Sequence, residues 1–383
     1  QSAIIRTFAL SFAASLRLTA WAAGPPGNGQ APRTQGAPKA GACSPATQVT
    51  QLAYNNVRAV IENGGNMWTR RGGSGRSGYE VPKTDDFSGA NAIYAGGLWM
   101  GGLSSAGQLR LAAVLYRANG NDFWPGPLST VDASVTPDIC QTYDRFWITQ
   151  RAEAETHLQW ARCVNDPECD VTQLFPNGYS VPTAFLQWPA IGDVEAGQDL
   201  YIAPFFDADE DGQYNPYSGD YPDYGFEQTV EDCKNKQASD PVSLFGDYNI
   251  WWIFNDKGDV HTETQGLPIG LEVRAQAFAF SANNEINNMT FYNYTVINRG
   301  SQTLTNTYFG SFVDGDLGCS NDDFTGCDVR RGLGYIYNWD DVDEGCLGAV
   351  GYGGPAPPPP AIGVDFFEGP YQDADGVDNP GPA

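Results

Sequence analysis

The stretch from 207 to 225, DADEDGQYNPYSGDYPDYG, holds the residues whose type and spacing most clearly suggest chemistry. Asp207, Asp209 and Asp211 alternate and Gly212 follows, which is the first half of an EF-hand-like calcium loop. In such a loop the side-chain oxygens at positions 1, 3 and 5 converge, a glycine permits the sharp turn, and the next residue lends its carbonyl. Here that residue is Gln213. The twelfth position, normally Glu, is Ser218, so the loop departs from a true EF-hand, and Asp220 is the candidate that completes the coordination sphere. The alternative is a simple acidic turn.

A second acidic run, DGDLGCSNDDFTGCD, supplies Asp314, Asp316, Asp322, Asp323 and Asp328. Carboxylates that close repel one another unless a cation or protons neutralise them. A third and sparser pattern, DADGVDNP, contains Asp373, Asp375 and Asp378. Calcium is the cofactor expected at all three, in a structural role: an ion pins a loop too poor in apolar surface to fold alone. Solvated acidic loops are the plain alternative.

The charge balance fits that reading. Asp and Glu number 46 against 21 Lys and Arg, a formal charge of −25, which argues against nucleic acid or anionic lipid as partners. Enzymatic motifs are absent: there is no G-x-S-x-G, H-E-x-x-H or P-loop, and the two histidines, His157 and His261, lie far apart in sequence. His157 is expected on a solvated helix face. Paired carboxylates for glycoside hydrolysis stay open, since their separation is a property of the fold. Trp99, Trp124, Trp251 and Trp252 suit a glycan contact but fit a core better, lying in strand-like runs.

Eight cysteines without a C-x-x-C suggest disulfides in an oxidising, extracellular or cell-surface setting. Two sequence-close pairs, Cys163 with Cys169 and Cys319 with Cys327, are spaced for local bridges, leaving Cys43, Cys140, Cys233 and Cys346 for longer ones. Past the N-terminal segment no run is apolar and long enough for a membrane helix.

The elements that must position these groups read as mainly β. Aromatics make up 13% of the chain, and 45 Gly and 26 Pro point to short strands and many turns. Strands are expected over 92–101 and 109–116 around a turn at Ser104 to Gly107, over 247–256 and over 271–280. A hairpin is expected over 289–314 around Gly300 and Ser301, a short helical stretch near AYNNVRAVIENGG, and one long helix over 141–162. The fold class is a β-sandwich or jelly-roll-like body with long loops, one helical insertion and an extended N-terminal strand. The body is placed at 48–383, with a division near 190–240 as an option.

Residues 1–21 read in two ways. Arg6 before an apolar run and Ala20-Trp21-Ala22 fit a signal peptide. Against that, Ile4, Phe8, Leu10, Phe12, Leu16 and Leu18 alternate with Thr, Ser, Arg or Ala, the period of a strand with one apolar face. Residues 22–47, rich in Gly, Pro and Ala, form an extended linker. A strand on a long tether can leave its own subunit and add to a neighbour's sheet, or fold back onto its own body.

Several stretches, among them NNVRAVIENGGNMW, YAGGLWMGGL, DGQYNPYSGDYP, NNMTFYNYTVINR and PPAIGVDFFEGP, resemble large secreted surface proteins of Bacteroidota and neighbouring bacteria. The resemblance covers about residues 50–380 and not 1–47. It implies export by the type IX system, β-rich modules and calcium loops, but carries no activity. The C-terminal sorting domain of that group is absent from this sequence, and a longer native chain is one expectation that follows.

Together these readings favour a non-enzymatic extracellular structural subunit that forms a homo-oligomer or homopolymer by donating its N-terminal strand. The alternatives are a carbohydrate-binding or carbohydrate-active surface protein, and an adhesin segment of a longer chain.

Overall fold

The computed structural model describes residues 42–70, 77–115, 120–225, 245–343, 345–346, 349–353 and 358–368, and the backbone of 6–16. The protein is mainly β. Two large sheets face each other across one core.

The first sheet runs in the order Trp147–Gln150, Tyr248–Asn255, Leu271–Ala279, Phe291–Asn298, Arg6–Leu16, Ala361–Glu368, Leu333–Asn338, Asp323–Asp328. The second runs Leu304–Asp314, Ala95–Ser104, Asn66–Met67, Arg58–Glu62, Tyr79–Glu80, Asn91–Ile93. Trp252, Val273, Tyr292 and Tyr294 of the first meet Ile61, Trp68, Tyr79 and Met100 from the second. Three polar contacts fix how the sheets sit. Trp68 Nε1 donates to the Tyr292 hydroxyl at 2.9 Å, the Tyr294 hydroxyl donates to Met67 Sδ at 2.9 Å, and the Tyr79 and Thr290 hydroxyls lie 3.1 Å apart. The glycine pair in YAGGLW serves this packing: a Cβ on Gly96 would sit 2.3 Å from the Trp68 ring.

Strand Tyr248–Asn255 explains its own composition. Ile250, Trp252 and Phe254 face the central core, while Trp251 and Ile253 face a second core with Trp147, Phe185, Trp188 and Tyr221. A strand covered on both faces needs a continuous apolar run, and NIWWIF is one. The covering layer is the helical insertion: Pro137–Tyr143, Arg151–Asn165, Val171–Leu174 and Thr183–Leu186 are the α-helices among the described residues. Charge ties it down as well. Arg274 Nη2 reaches Asp199 at 2.6 Å and Glu272 at 2.8 Å, and Arg299 reaches both carboxylates too.

Three local expectations are corrected. The stretch around NVRAVIE is strand Arg58–Glu62, buried across most of its length, because Ala59 to Glu62 are enclosed between sheet partners and core. The expected long helix begins later, at Arg151, after a separate short helix and the strand Trp147–Gln150. The expected hairpin over 289–314 is a crossing between sheets: Phe291–Asn298 belongs to the first and Leu304–Asp314 to the second. The amides of Arg299 and Gly300 both donate to the Gly270 carbonyl, which turns the chain away from its own sheet.

The N-terminal strand Arg6–Leu16 lies inside the first sheet, parallel to both neighbours. Phe12, Ala14 and Leu16 stand in register with the buried residues Tyr292, Tyr294 and Val296. Phe8 pairs with Gly363, and Leu10 falls in the irregular stretch between Phe8 and Ser11. Ile4 and Leu18 lie outside the described residues.

Disulfides join Cys43 to Cys140, Cys163 to Cys169 and Cys319 to Cys346. The expected pairing of Cys319 with Cys327 is therefore corrected. Cys327 sits exposed on strand Asp323–Asp328 opposite Gly334, with a free thiol. Cys346 instead arrives on a loop that folds back over Cys319, where Asp343 accepts the Cys319 amide at 3.1 Å.

Candidate metal centre

A two-stranded pair, Phe205–Phe206 with Tyr221–Pro222, closes the loop that starts at Asp207. Phe206 pairs with Tyr221, so Asp207 and Asp220, one residue beyond on each side, are brought together despite twelve intervening residues. The pair is seated on the helical insertion. Tyr221 is fully buried, the Tyr214 hydroxyl donates to the Phe185 carbonyl at 2.9 Å, and Gly219 turns with φ 111° against Ala161.

Within the loop, backbone amides converge on carboxylates. Asp207 accepts from the amides of Asp211 at 3.2 Å and Gly212 at 2.8 Å, and Asp220 accepts from Ala208 at 2.9 Å and Asn215 at 2.7 Å. Gly212 takes φ 75°, the left-handed turn that the sixth position requires. As a result, one carboxylate oxygen each from Asp207, Asp209 and Asp220 lies within 4.8 Å of the others. This is the only such group of three among the described residues. Burial pushes the fully buried Asp220 carboxyl above the usual range, and Asp207 and Asp209 push it further, against the two amide hydrogen bonds. A hard cation with oxygen preference would relieve that repulsion.

Asp211 is turned differently. Its carboxylate accepts from the Gln213 amide at 2.7 Å, an Asx turn that shapes the loop, and it is not one of the three converging groups. Ser218 takes the Asn215 side-chain amide at 2.8 Å.

The second acidic run is spread out. Asp328 pairs with Arg331 at 2.8 Å, three residues on. Asp323 has Asp316 and Asp322 nearby and also Asp343, which the sequence reading did not single out, since it lies twenty residues past Asp323. Asp323 accepts the Leu317 amide at 2.8 Å, and its second oxygen is buried without a hydrogen-bond partner. Burial, then Asp314, pushes the Asp316 carboxyl up to about 6. Burial, with Asp316, Asp322 and Asp343 nearby, pushes Asp323 up to about 7. Asp314 is also raised, by burial. Asp373, Asp375 and Asp378 lie outside the described residues.

Both histidines are buried. His157, expected on a solvated face, is instead packed among Trp160, Phe185 and Tyr221, with Nδ1 2.7 Å from the Tyr179 hydroxyl. The helix face that looked polar in sequence is covered by the acidic loop and its hairpin. His261 lies between two fully buried carboxylates, 3.7 Å from Asp122 and 3.9 Å from Asp256. Trp124, Trp251 and Trp252 are buried, whereas Trp99 is half exposed and stacked on Phe312.

No family model, curated protein or solved structure matches this chain. Among the described residues no helix is long and apolar enough to cross a membrane.

Proposed function

We propose that this protein is an extracellular structural subunit that assembles by placing its N-terminal strand in the sheet of a neighbouring copy. The observation that carries the reading is the position of Arg6–Leu16 between Phe291–Asn298 and Ala361–Glu368, parallel to both. Those two strands are joined in the sheet through Arg6–Leu16, so the segment fills a slot that the rest of the chain leaves between them. A slot of that kind accepts the same segment from any copy, because main-chain hydrogen bonds and register do not distinguish one chain from another.

The tether supports exchange. Twenty-six residues, 17 to 42, separate the strand from Cys43, which the Cys140 disulfide fixes to the body. Extended, that length reaches on the order of 80 Å. Head-to-tail insertion of this kind is heterologous and grows an open filament unless the rotation closes a ring.

Calcium at Asp207, Asp209 and Asp220 belongs to the same proposal, as a pin for the loop beside the helical insertion, with three disulfides holding other parts of the body. The disulfides favour an oxidising compartment, and the bacterial surface setting that the sequence resembles is part of this proposal.

Removal of residues 1–21 tests it. The shortened chain should stay monomeric by light scattering, with a lowered thermal midpoint that a synthetic peptide of residues 1–21 restores in trans. Assembly equal to the full chain would contradict the proposal.

A further inference from the structure

The outer face of the strand pair Asp323–Asp328 and Leu333–Asn338 carries a strip of exposed rings. Tyr335, Tyr337 and Trp339 alternate along one strand and its extension, so all three project from one face, while the intervening Ile336 enters the core. Phe324 joins them from the neighbouring strand, in register with Tyr337. The four rings form a continuous row: Tyr335 to Tyr337 at 6.1 Å and 32°, Tyr337 to Phe324 at 5.8 Å and 28°, Phe324 to Trp339 at 5.4 Å and 35°. Low angles at these separations make the row a run of offset, partly overlapping rings rather than an edge-to-face core packing, and each ring stays partly exposed.

Small residues make room for it. Gly326 and Gly363 flank Tyr335 in register on either side, and a Cβ on Gly326 would fall 2.4 Å from the Tyr335 ring. Trp339 is 71% exposed, an apolar surface that a folded chain does not present singly in a row of four without a use. One end of the row is closed by Asp328 paired to Arg331, and the other by Asp340, whose carboxylate caps the Val342 amide at 3.0 Å.

We infer that this strip binds a neutral polysaccharide chain, its pyranose faces laid on the rings of Tyr335, Tyr337, Phe324 and Trp339. The exposed parts of these rings, Trp339 most of all, offer apolar surface to the C–H faces of successive sugars, and charged groups at the ends are placed to take hydroxyls. The acidic surface of a chain carrying −25 selects against anionic polymers. A second copy of the chain is a poorer occupant, since a stable protein interface uses roughly 20–30 residues a side, against one strand pair here. The site is separate from the strand slot and does not depend on the assembly reading.

The test uses the full chain in depletion assays on microcrystalline cellulose, chitin and an insoluble β-1,3-glucan, together with the variants Trp339→Ala and Tyr337→Ala, whose surface positions leave circular dichroism unchanged. The expected result is retention on at least one of these polymers, weakened about tenfold or more by either variant. Failure of the full chain to bind any of the three overturns the inference, as does undiminished binding by both variants. A change in oligomeric state with unchanged polymer binding also overturns it and assigns the strip to a second copy.

Discussion

Phe12 stands in register with Tyr292, and Tyr292 accepts a hydrogen bond from Trp68 of the opposite sheet. The N-terminal strand therefore borders the contact that joins the two sheets. Replacing Phe12 by Asp puts a charge on a strand in register with the buried Tyr292, Tyr294 and Val296, and an unpaired charge within a buried sheet is strongly disfavoured. Phe12→Asp should leave particles of subunit size in sedimentation velocity where the unaltered chain assembles; assemblies of unaltered size would count against strand insertion.

Calcium should raise the thermal midpoint relative to a chelator. A ligand at a hundredfold its dissociation constant stabilises by about 2.7 kcal/mol if it binds only the folded state. Asp209→Asn is the informative variant, since Asp209 is exposed and the amide hydrogen bonds that shape the loop go to Asp207, Asp211 and Asp220. It should fold normally and lose the calcium-dependent shift. An equal shift in variant and parent would remove the Asp207, Asp209 and Asp220 group as the site.

The second acidic run gives a pH dependence of definite sign. Asp316 and Asp323 titrate near 6 and 7 in the folded protein against an ordinary 3.8, so the folded state holds protons that the unfolded state has lost. Stability in chelator should fall as pH rises from about 4 to about 7 and level off above. Asp323→Asn should flatten the upper part of that slope. Stability that climbs through this window in the parent, unchanged in the variant, would contradict the assignment.

His261 has a carbonyl at each ring nitrogen, Leu111 at 2.7 Å from Nδ1 and Asp256 at 2.6 Å from Nε2. The ring thus bridges two main-chain carbonyls and lies beside the buried carboxylates of Asp122 and Asp256. Asp256 also takes the amides of Ile269, Gly270 and Leu271, which orders the turn into Leu271–Ala279. His261→Gln removes a buried ring that bridges two carbonyls and should cost about 1–3 kcal/mol in denaturant unfolding. A loss within experimental error would show that the bridge adds nothing to stability.

Sequence pattern exposed the features that depend on local order. The alternation in LEVRAQAFA and the doubly buried run NIWWIF mark their strands, and the D-x-D-x-D-G spacing marks the loop that gathers Asp207 and Asp209. What escaped depends on distant partners. Arg58–Glu62 looks helical until its sheet neighbours enclose it. Cys346 reaches Cys319 because Asp343 folds a loop back, and His157 is buried by a hairpin more than fifty residues away. The alternating rings of Tyr335, Tyr337 and Trp339 were passed over in the sequence, and their union with Phe324 needs the strand pairing.

The most direct test of strand exchange uses the register pair Ser15 and Thr295. Neighbouring strands lie about 4.8 Å apart, within the Cα range of a disulfide. Ser15→Cys and Thr295→Cys are placed on separate chains, each also carrying Cys327→Ser, and the two are co-expressed and oxidised. The account predicts a disulfide-linked dimer joining position 15 of one chain to position 295 of the other. Crosslinking that occurs only when both cysteines share one chain, and within that chain, would contradict it.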